Sequence, residues 1–231
     1  MKIIRFEIIV IIILILSSIG IGLSTGIKLE VKQIDIYHAD SIVLITGFEP
    51  FGGYDINPSQ LIIENLSDKV IDGATLLGII LPVNYTKSIE LVIQAIKDYD
   101  PILVVSTGLA AGSRLIRIEK IGINLRYDGK WYDLFRLDPN RPLFHLSPFP
   151  TNCIVKNMRR AGIPARTSLF AGLYICNAVL YSVLDYIEVN NLHIRSGFIH
   201  VPLLSSQHPN GMELEKMLDA TTIAIQVCLN N

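Results

Sequence analysis

Charge is scarce in this sequence. Of 231 residues only 18% are Asp, Glu, Lys or Arg, and the formal net charge is −1. There is no basic stripe and no cluster of arginines interleaved with aromatics, which excludes the electrostatic footprint of a nucleic-acid partner. Cysteine is scarce too. The three thiols, Cys153, Cys176 and Cys228, form no Cys-x-x-Cys pair, no His-Glu-x-x-His occurs, and the five histidines are scattered. Neither a metal site nor a cofactor is expected. An odd thiol count leaves one cysteine outside any intramolecular disulfide. In an oxidising compartment Cys153 and Cys228 can pair with each other or across subunits, leaving Cys176 free.

Apolar residues, by contrast, make up half the chain. The longest charge-free run, IIVIIILILSSIGIGLSTGI at 8–27, follows Lys2 and Arg5. It has the ~20 residues that a bilayer-spanning helix needs. That layout belongs to a signal peptide or a signal anchor. Ser24, Thr25 and Gly26 are small, but no Ala-x-Ala cleavage site is present, which favours an uncleaved anchor. Residues 1–29 are read as this segment and 30–40 as a polar linker. Residues 41–231 then form one domain with room for a full core. The domain is expected outside the cytoplasm, membrane-anchored or secreted.

Within that domain, apolar strands alternate with amphipathic helices. Ser41–Thr46 and Pro101–Ser106 are continuous apolar runs, the pattern of strands buried on both faces, and Ala74–Leu81 is a third strand ended by Pro82. Glycine loops follow two of them, at 47–53 and 108–112. Asn57-Pro58 opens a helix, with Asn as cap and Pro in the first turn. Thr86 is the expected cap of the next helix, whose inner face carries Ile89, Val92, Ile93 and Ile96. Residues 127–150 are irregular and long for a structureless connection, which points to a lid or a family-specific excursion. Helices over 151–161 and 213–229 complete the pattern. The fold class is α/β: a three-layer α/β/α sandwich around a mainly parallel sheet. Ligands in such sheets bind at the carboxyl ends of strands.

Ser168 to Leu184 carries the most specific chemical signal. A glycine-containing approach leads to Cys176, and Val179, Leu180, Val183, Leu184 and Ile187 then recur at helical spacing. Cys176 therefore sits at a helix start, where the dipole favours the thiolate. Downstream, His200 lies near the end of a short buried strand. Cysteine at a helix start and histidine at a strand end can form a nucleophile–base pair. Taken alone, a cysteine on an apolar helix is more often packing.

Five segments taken in order add a resemblance. They are Gly47-Phe-Glu-Pro-Phe-Gly-Gly53 with Asn57-Pro58, Ile118-Glu-Lys-Ile-Gly-Ile-Asn124, Ala161-Gly-Ile-Pro-Ala165, Ala171-Gly-Leu-Tyr-Ile-Cys-Asn177 and Phe198-Ile-His-Val-Pro202. From Ser41 to its C-terminus the chain resembles pyroglutamyl peptidase I, the pyrrolidone-carboxylate peptidase family of cysteine peptidases. The resemblance implies a phosphorylase/hydrolase-like sandwich and an omega exopeptidase that removes N-terminal pyroglutamate from peptides. It implies a Cys-His-Glu triad of Cys176 as nucleophile, His200 as general base and Glu119 as the group that orients the imidazole. It assigns Phe48 and Phe51 to flank the lactam ring and Asn57 to bind the lactam carbonyl. On local grounds alone, the two phenylalanines are core and Asn57 is a helix cap. The family default is a cytoplasmic enzyme, commonly a dimer or tetramer, so a homo-oligomer is implied as well.

The sequence departs from the family pattern in places. The second glycine loop, usually Gly-Gln-Ala-Gly-Gly-Arg, here reads Gly108-Leu-Ala-Ala-Gly-Ser-Arg114, so Leu109 lacks a polar side chain. An arginine that the family tends to carry after the Ile-Asn pair falls at Gly129; Arg126 and Lys130 stand nearest to replace it. These departures support an alternative, a catalytically impaired, membrane-tethered binder of pyroglutamyl or capped peptides. A nucleoside phosphorylase-like enzyme shares the architecture but has no use for a helix-start cysteine. Cell fractionation tests the anchor. Full-length protein is expected in the membrane or exported fraction, and its recovery in soluble cytosol would rule the anchor out.

Overall fold

In a computed structural model of the chain, residues 41–127, 129 and 134–231 are described. The anchor or leader expected at 1–29, the linker at 30–40 and Lys130 lie outside the described residues. Among the described residues, no helix is long and apolar enough to cross a membrane.

In chain order the elements are β1 (Ile42–Phe48), α1 (Pro58–Leu66), β2 (Val70–Ile71), β3 (Ala74–Leu81), α2 (Tyr85–Tyr99), β4 (Leu103–Leu109), β5 (Ile116–Glu119), β6 (Ile121–Ile123), β7 (Arg126–Tyr127), β8 (Leu134–Phe135), β9 (Phe144–Leu146), α3 (Thr151–Arg160), β10 (Ala165–Ser168), α4 (Ile175–Val189), β11 (Arg195–Val201) and α5 (Leu214–Leu229). Seven strands form the central sheet in the order β10-β5-β11-β4-β1-β3-β2. The central strands β11, β4, β1 and β3 are mutually parallel. β5 runs antiparallel to β11, and β10 follows β5 in parallel. One apolar cluster joins the sheet to α1, α3 and α5. A second joins it to α2 and α4. These are the three layers expected of an α/β/α sandwich.

Local chemistry explains most element boundaries. Asn57, in extended backbone, accepts from the Ser59 N–H and caps α1 with Pro58 in the first turn. The cap of α2 is Asn84 and not Thr86. Its backbone is extended and its side-chain oxygen accepts from the Lys87 N–H, so Thr86 falls inside the first turn. The second glycine segment also differs from its expected form. β4 continues through Gly108 and Leu109, which pair with His200 and Val201, and the chain turns only at Ala110. Backbone pairing overrides glycine's weak strand preference because both neighbouring strands are in place. β10 is not anticipated by the sequence pattern. Its Ala-Arg-Thr-Ser lacks an apolar run because it is an edge strand with two of its four residues outside the core.

The 127–150 excursion is tied down by polar groups. Among its described residues it forms β8 against β7 and β9 against β6. Asn124, fully buried, donates to the carbonyls of Asp138, Arg141 and Pro142 and accepts from the Asp138 N–H. The two ring nitrogens of His145 face carboxylates of α4, Nε2 at 2.8 Å from Asp185 Oδ1 and Nδ1 at 2.9 Å from Glu188 Oε2. Arg141 Nε lies 2.9 Å from the same Asp185 oxygen. β6 and β9 thereby cover the outer face of α4. That is why α4 is buried almost all round from Ile175 to Leu184 and not along one stripe. Replacing Asn124→Ala strands several backbone groups of the excursion at once. A loss of about 2 kcal/mol in urea denaturation is expected; an unchanged midpoint would show that the excursion is held elsewhere.

Candidate active site

Three adjacent strands bring the site together. In the ladder, His200 on β11 is paired with Gly108 of β4 on one side and with Arg117 of β5 on the other, and Glu119 is paired with Phe198. Side chains two residues apart in a strand share a face. Arg117 and Glu119 therefore stand beside Phe198 and His200, whose rings lie 4.9 Å apart. This face is covered by α4. Cys176 is the second residue of that helix, after Tyr174 at the cap position and Ile175. A Cβ added at Gly108 would lie 2.8 Å from the Cys176 sulfur and 2.8 Å from the Phe198 ring. The thiol fills the space that any other residue at 108 would need. That close approach is the physical reason for glycine there.

His200 Nδ1 lies 2.8 Å from Glu119 Oε1, and the two residues are 3% and 0% exposed. A carboxylate only accepts, so Nδ1 carries the proton and Nε2 is left with the free lone pair. Arg117 completes the group: Nε is 3.2 Å from the same Glu119 oxygen and Nη2 is 3.5 Å from His200 Nδ1. The sequence pattern assigns no role to Arg117. It does carry a signal, because the partial alternation of Ile116 to Glu119 puts residue 117 on the same face as residue 119.

Burial acts against the helix start at Cys176. Burial, reinforced by the negative charge of Glu119, pushes the Cys176 thiol up to about 12. Its own helix-start amide and Arg117 pull the other way and are outweighed. Desolvation of the anion therefore opposes the thiolate that a helix start favours. Burial also lowers the His200 imidazole below its ordinary value, against the raising effect of Glu119 and with help from Arg117. Burial thus favours the uncharged form of each group, thiol and imidazole.

The remaining expected site residues are distributed differently. Phe48 is 1% exposed and belongs to the same apolar cluster as Cys176. Phe51 is half-buried on the loop after β1, next to Gly52 and Gly53. Asn57 is 1% exposed and heavily engaged. Its oxygen accepts from the Ser59 N–H and hydroxyl, and its amide donates to the Glu49 carbonyl. Ser59 in turn accepts from the Phe48 N–H, so the loop and helix form one hydrogen-bonded unit. Asn177, next to Cys176, is fully buried. It donates to the carbonyls of Ile123 and Leu125 and accepts from the Ile123 N–H, which locks the first turn of α4 to β6.

The departures have local explanations. Leu109 is 7% exposed and packs in the sheet. Gly129 has φ +108, a conformation in which an arginine would be strained. Arg126 lies over the rings of Tyr85 and Phe135, at 5.5 and 5.8 Å. The guanidinium beside Glu119 and His200 is that of Arg117. Cys153, Cys176 and Cys228 are all free thiols. Peptide-mapped iodoacetamide kinetics test the resting state of Cys176. Alkylation at pH 7 is expected to be at least about 100-fold slower than for an ordinary thiol of pKa ~8.5, and to keep rising up to pH 10. A plateau near neutrality would instead reveal a standing thiolate–imidazolium pair.

Comparison with known proteins identifies the family. A family model described as pyroglutamyl peptidase matches residues 41–231. Pyrrolidone-carboxylate peptidase 1 of Caldanaerobacter subterraneus subsp. tengcongensis is 36% identical over 197 residues, covering 80% of this chain and 96% of the relative. A pyrrolidone-carboxylate peptidase of Yersinia pestis is 36% identical over 199 residues, covering 81% and 92%. Among solved structures, the pyrrolidone carboxyl peptidase of Thermococcus litoralis superposes with a TM-score of 0.78 at 32% identity, covering 82% of this chain and 94% of that one. Pyroglutamyl peptidase I of Bacillus amyloliquefaciens gives 0.78 at 29% identity, covering 83% and 98%. The chain belongs to the pyroglutamyl peptidase family of cysteine peptidases.

Proposed function

We propose that this protein removes N-terminal pyroglutamate from peptides, with Cys176 as nucleophile, His200 as general base and acid, and Glu119 as the group that fixes the imidazole. The observation that carries the reading is the 2.8 Å contact of His200 Nδ1 with Glu119, which leaves Nε2 as the basic nitrogen in a site floored by Gly108 and Cys176. Because the resting sulfur is protonated, attack and deprotonation occur together. The sulfur bonds to the pyroglutamyl carbonyl carbon as its proton passes to Nε2. The oxyanion is met by the Cys176 N–H at the helix start. Collapse breaks the C–N bond, and the leaving amine takes the proton from Nε2. Water, deprotonated by the same nitrogen, then cleaves the thioester and releases pyroglutamate and the free thiol.

The substrate end is an uncharged, flat lactam, which suits apolar walls and a few neutral hydrogen-bonding groups. Phe51 supplies the reachable wall and Phe48 supports it from the core. Asn57 holds the loop in register on α1 and is the amide nearest in sequence for the lactam carbonyl. The charge-free run at 8–27 adds a second element to the proposal: this activity is held at, or exported across, a membrane.

Hydrolysis of a pyroglutamyl p-nitroanilide by the reduced full-length protein is the direct test. Cys176→Ala is expected to lower kcat/KM by at least ~10³-fold, and Glu119→Gln by on the order of 10²-fold or more. The lowered His200 titration implies that the base stays neutral to lower pH, so the acid limb of kcat/KM should fall below histidine's ordinary 6.5. Absence of turnover, or turnover that survives Cys176→Ala, would overturn the proposal. Binding without turnover, unchanged in Cys176→Ala, would favour the non-catalytic peptide binder.

A further inference from the structure

The Glu119 carboxylate has an unusual setting. It is fully buried, and its Oε2 has no hydrogen-bond partner among the described residues. Its Oε1 faces both His200 Nδ1 at 2.8 Å and Arg117 Nε at 3.2 Å. Burying a carboxylate with one oxygen unpaired is costly unless a counter-charge sits close by. The Arg117 guanidinium, whose side chain is 22% exposed, is such a charge. Its Nε is itself buried without an aligned hydrogen bond, so the contact with Glu119 is an off-axis ion pair.

Placement of this guanidinium is fixed by the backbone. Arg117 is directly opposite His200 across the antiparallel β5–β11 pair and two residues before Glu119 on the same face. Its Nη2 reaches 3.5 Å from Nδ1. Arginine only donates, and an Nδ1 that already carries a proton cannot accept from it. The ring nitrogen therefore has two alternatives: it donates to Glu119, or it loses its proton and accepts from Arg117. As long as the guanidinium is engaged with Oε1, the first is favoured.

We propose that Arg117 is a positioning residue of this site, holding the Glu119 carboxylate against His200 Nδ1 so that Nε2 remains the proton acceptor of the ring. The inference rests on the peptidase reading. Among the described residues, the charged groups that act on His200 are Glu119 and Arg117, both on β5, and β4 sets Gly108 beside it in the ladder, near the Cys176 thiol of α4. Of these, Arg117 opposes protonation of the imidazole and Glu119 favours it.

The test uses full-length protein with R117Q and R117K. It combines the pH profile of pyroglutamyl p-nitroanilide turnover with an NMR titration of the His200 imidazole. In R117Q, kcat is expected to fall on the order of 10–100-fold with KM little changed, as for a displaced catalytic group. The His200 titration and the acid limb should both move to higher pH, and the hydrogen-bonded Nδ1 proton resonance should weaken. R117K keeps the charge without the planar fork and should recover part of each effect. Folded R117Q with wild-type kcat and an unmoved His200 titration would overturn the proposal. Should R117Q not fold, R117K decides. A few-fold loss in kcat with a displaced titration supports the assignment, and wild-type values overturn it. If no pyroglutamyl amide is turned over by the wild-type protein, the peptidase reading fails, and the NMR titration still decides whether Arg117 positions the imidazole.

Discussion

A buried carboxylate bonded to a buried imidazole, across two antiparallel strands, is the interaction on which this site depends. Neither Glu119 nor His200 reaches solvent to any useful extent. The cost of drying the carboxylate is offset only while Nδ1 and the Arg117 guanidinium remain in contact with it. This requires β11 to lie between β4 and β5, with β5 reversed against it. Reversal matters because it pairs Arg117 with His200 and sets Glu119 one step along the same face. A parallel β5 would give a different register and a different neighbour for the ring.

The same dryness sets the chemistry. A cysteine at a helix start is commonly read as a ready thiolate, and here burial pushes the thiol the other way. In the proposed reaction, proton transfer accompanies attack. That places the demand on the imidazole's tautomer and orientation more than on the acidity of the thiol. It also explains why so much polar structure surrounds the first turn of α4. Asn177 ties that turn to β6, and Asn124, just past β6, ties the chain there to the excursion over the helix. His145, held between Asp185 and Glu188, fastens the same excursion to the middle of α4. Together these side chains fasten the helix that carries Cys176 to its neighbours.

Sequence alone determined the features that local pattern dictates. Continuous apolar runs gave β1, β3 and β4, capping chemistry gave α1, and helical spacing gave α4 with Cys176 at its start. The order of five short segments was enough to indicate the family, because their residue types answer to a shared backbone and a shared site. Tertiary structure decided the rest. β10, an edge strand of polar residues, carries no local signature. Asn84 displaced Thr86 as a cap because the backbone two residues earlier is extended. The protonation state of Cys176 depends on what covers it, and the role open to Arg117 depends on which strand lies opposite its own. Periodicity records which face a residue turns toward, and it is silent on which other strand that face will meet or how dry the meeting place will be.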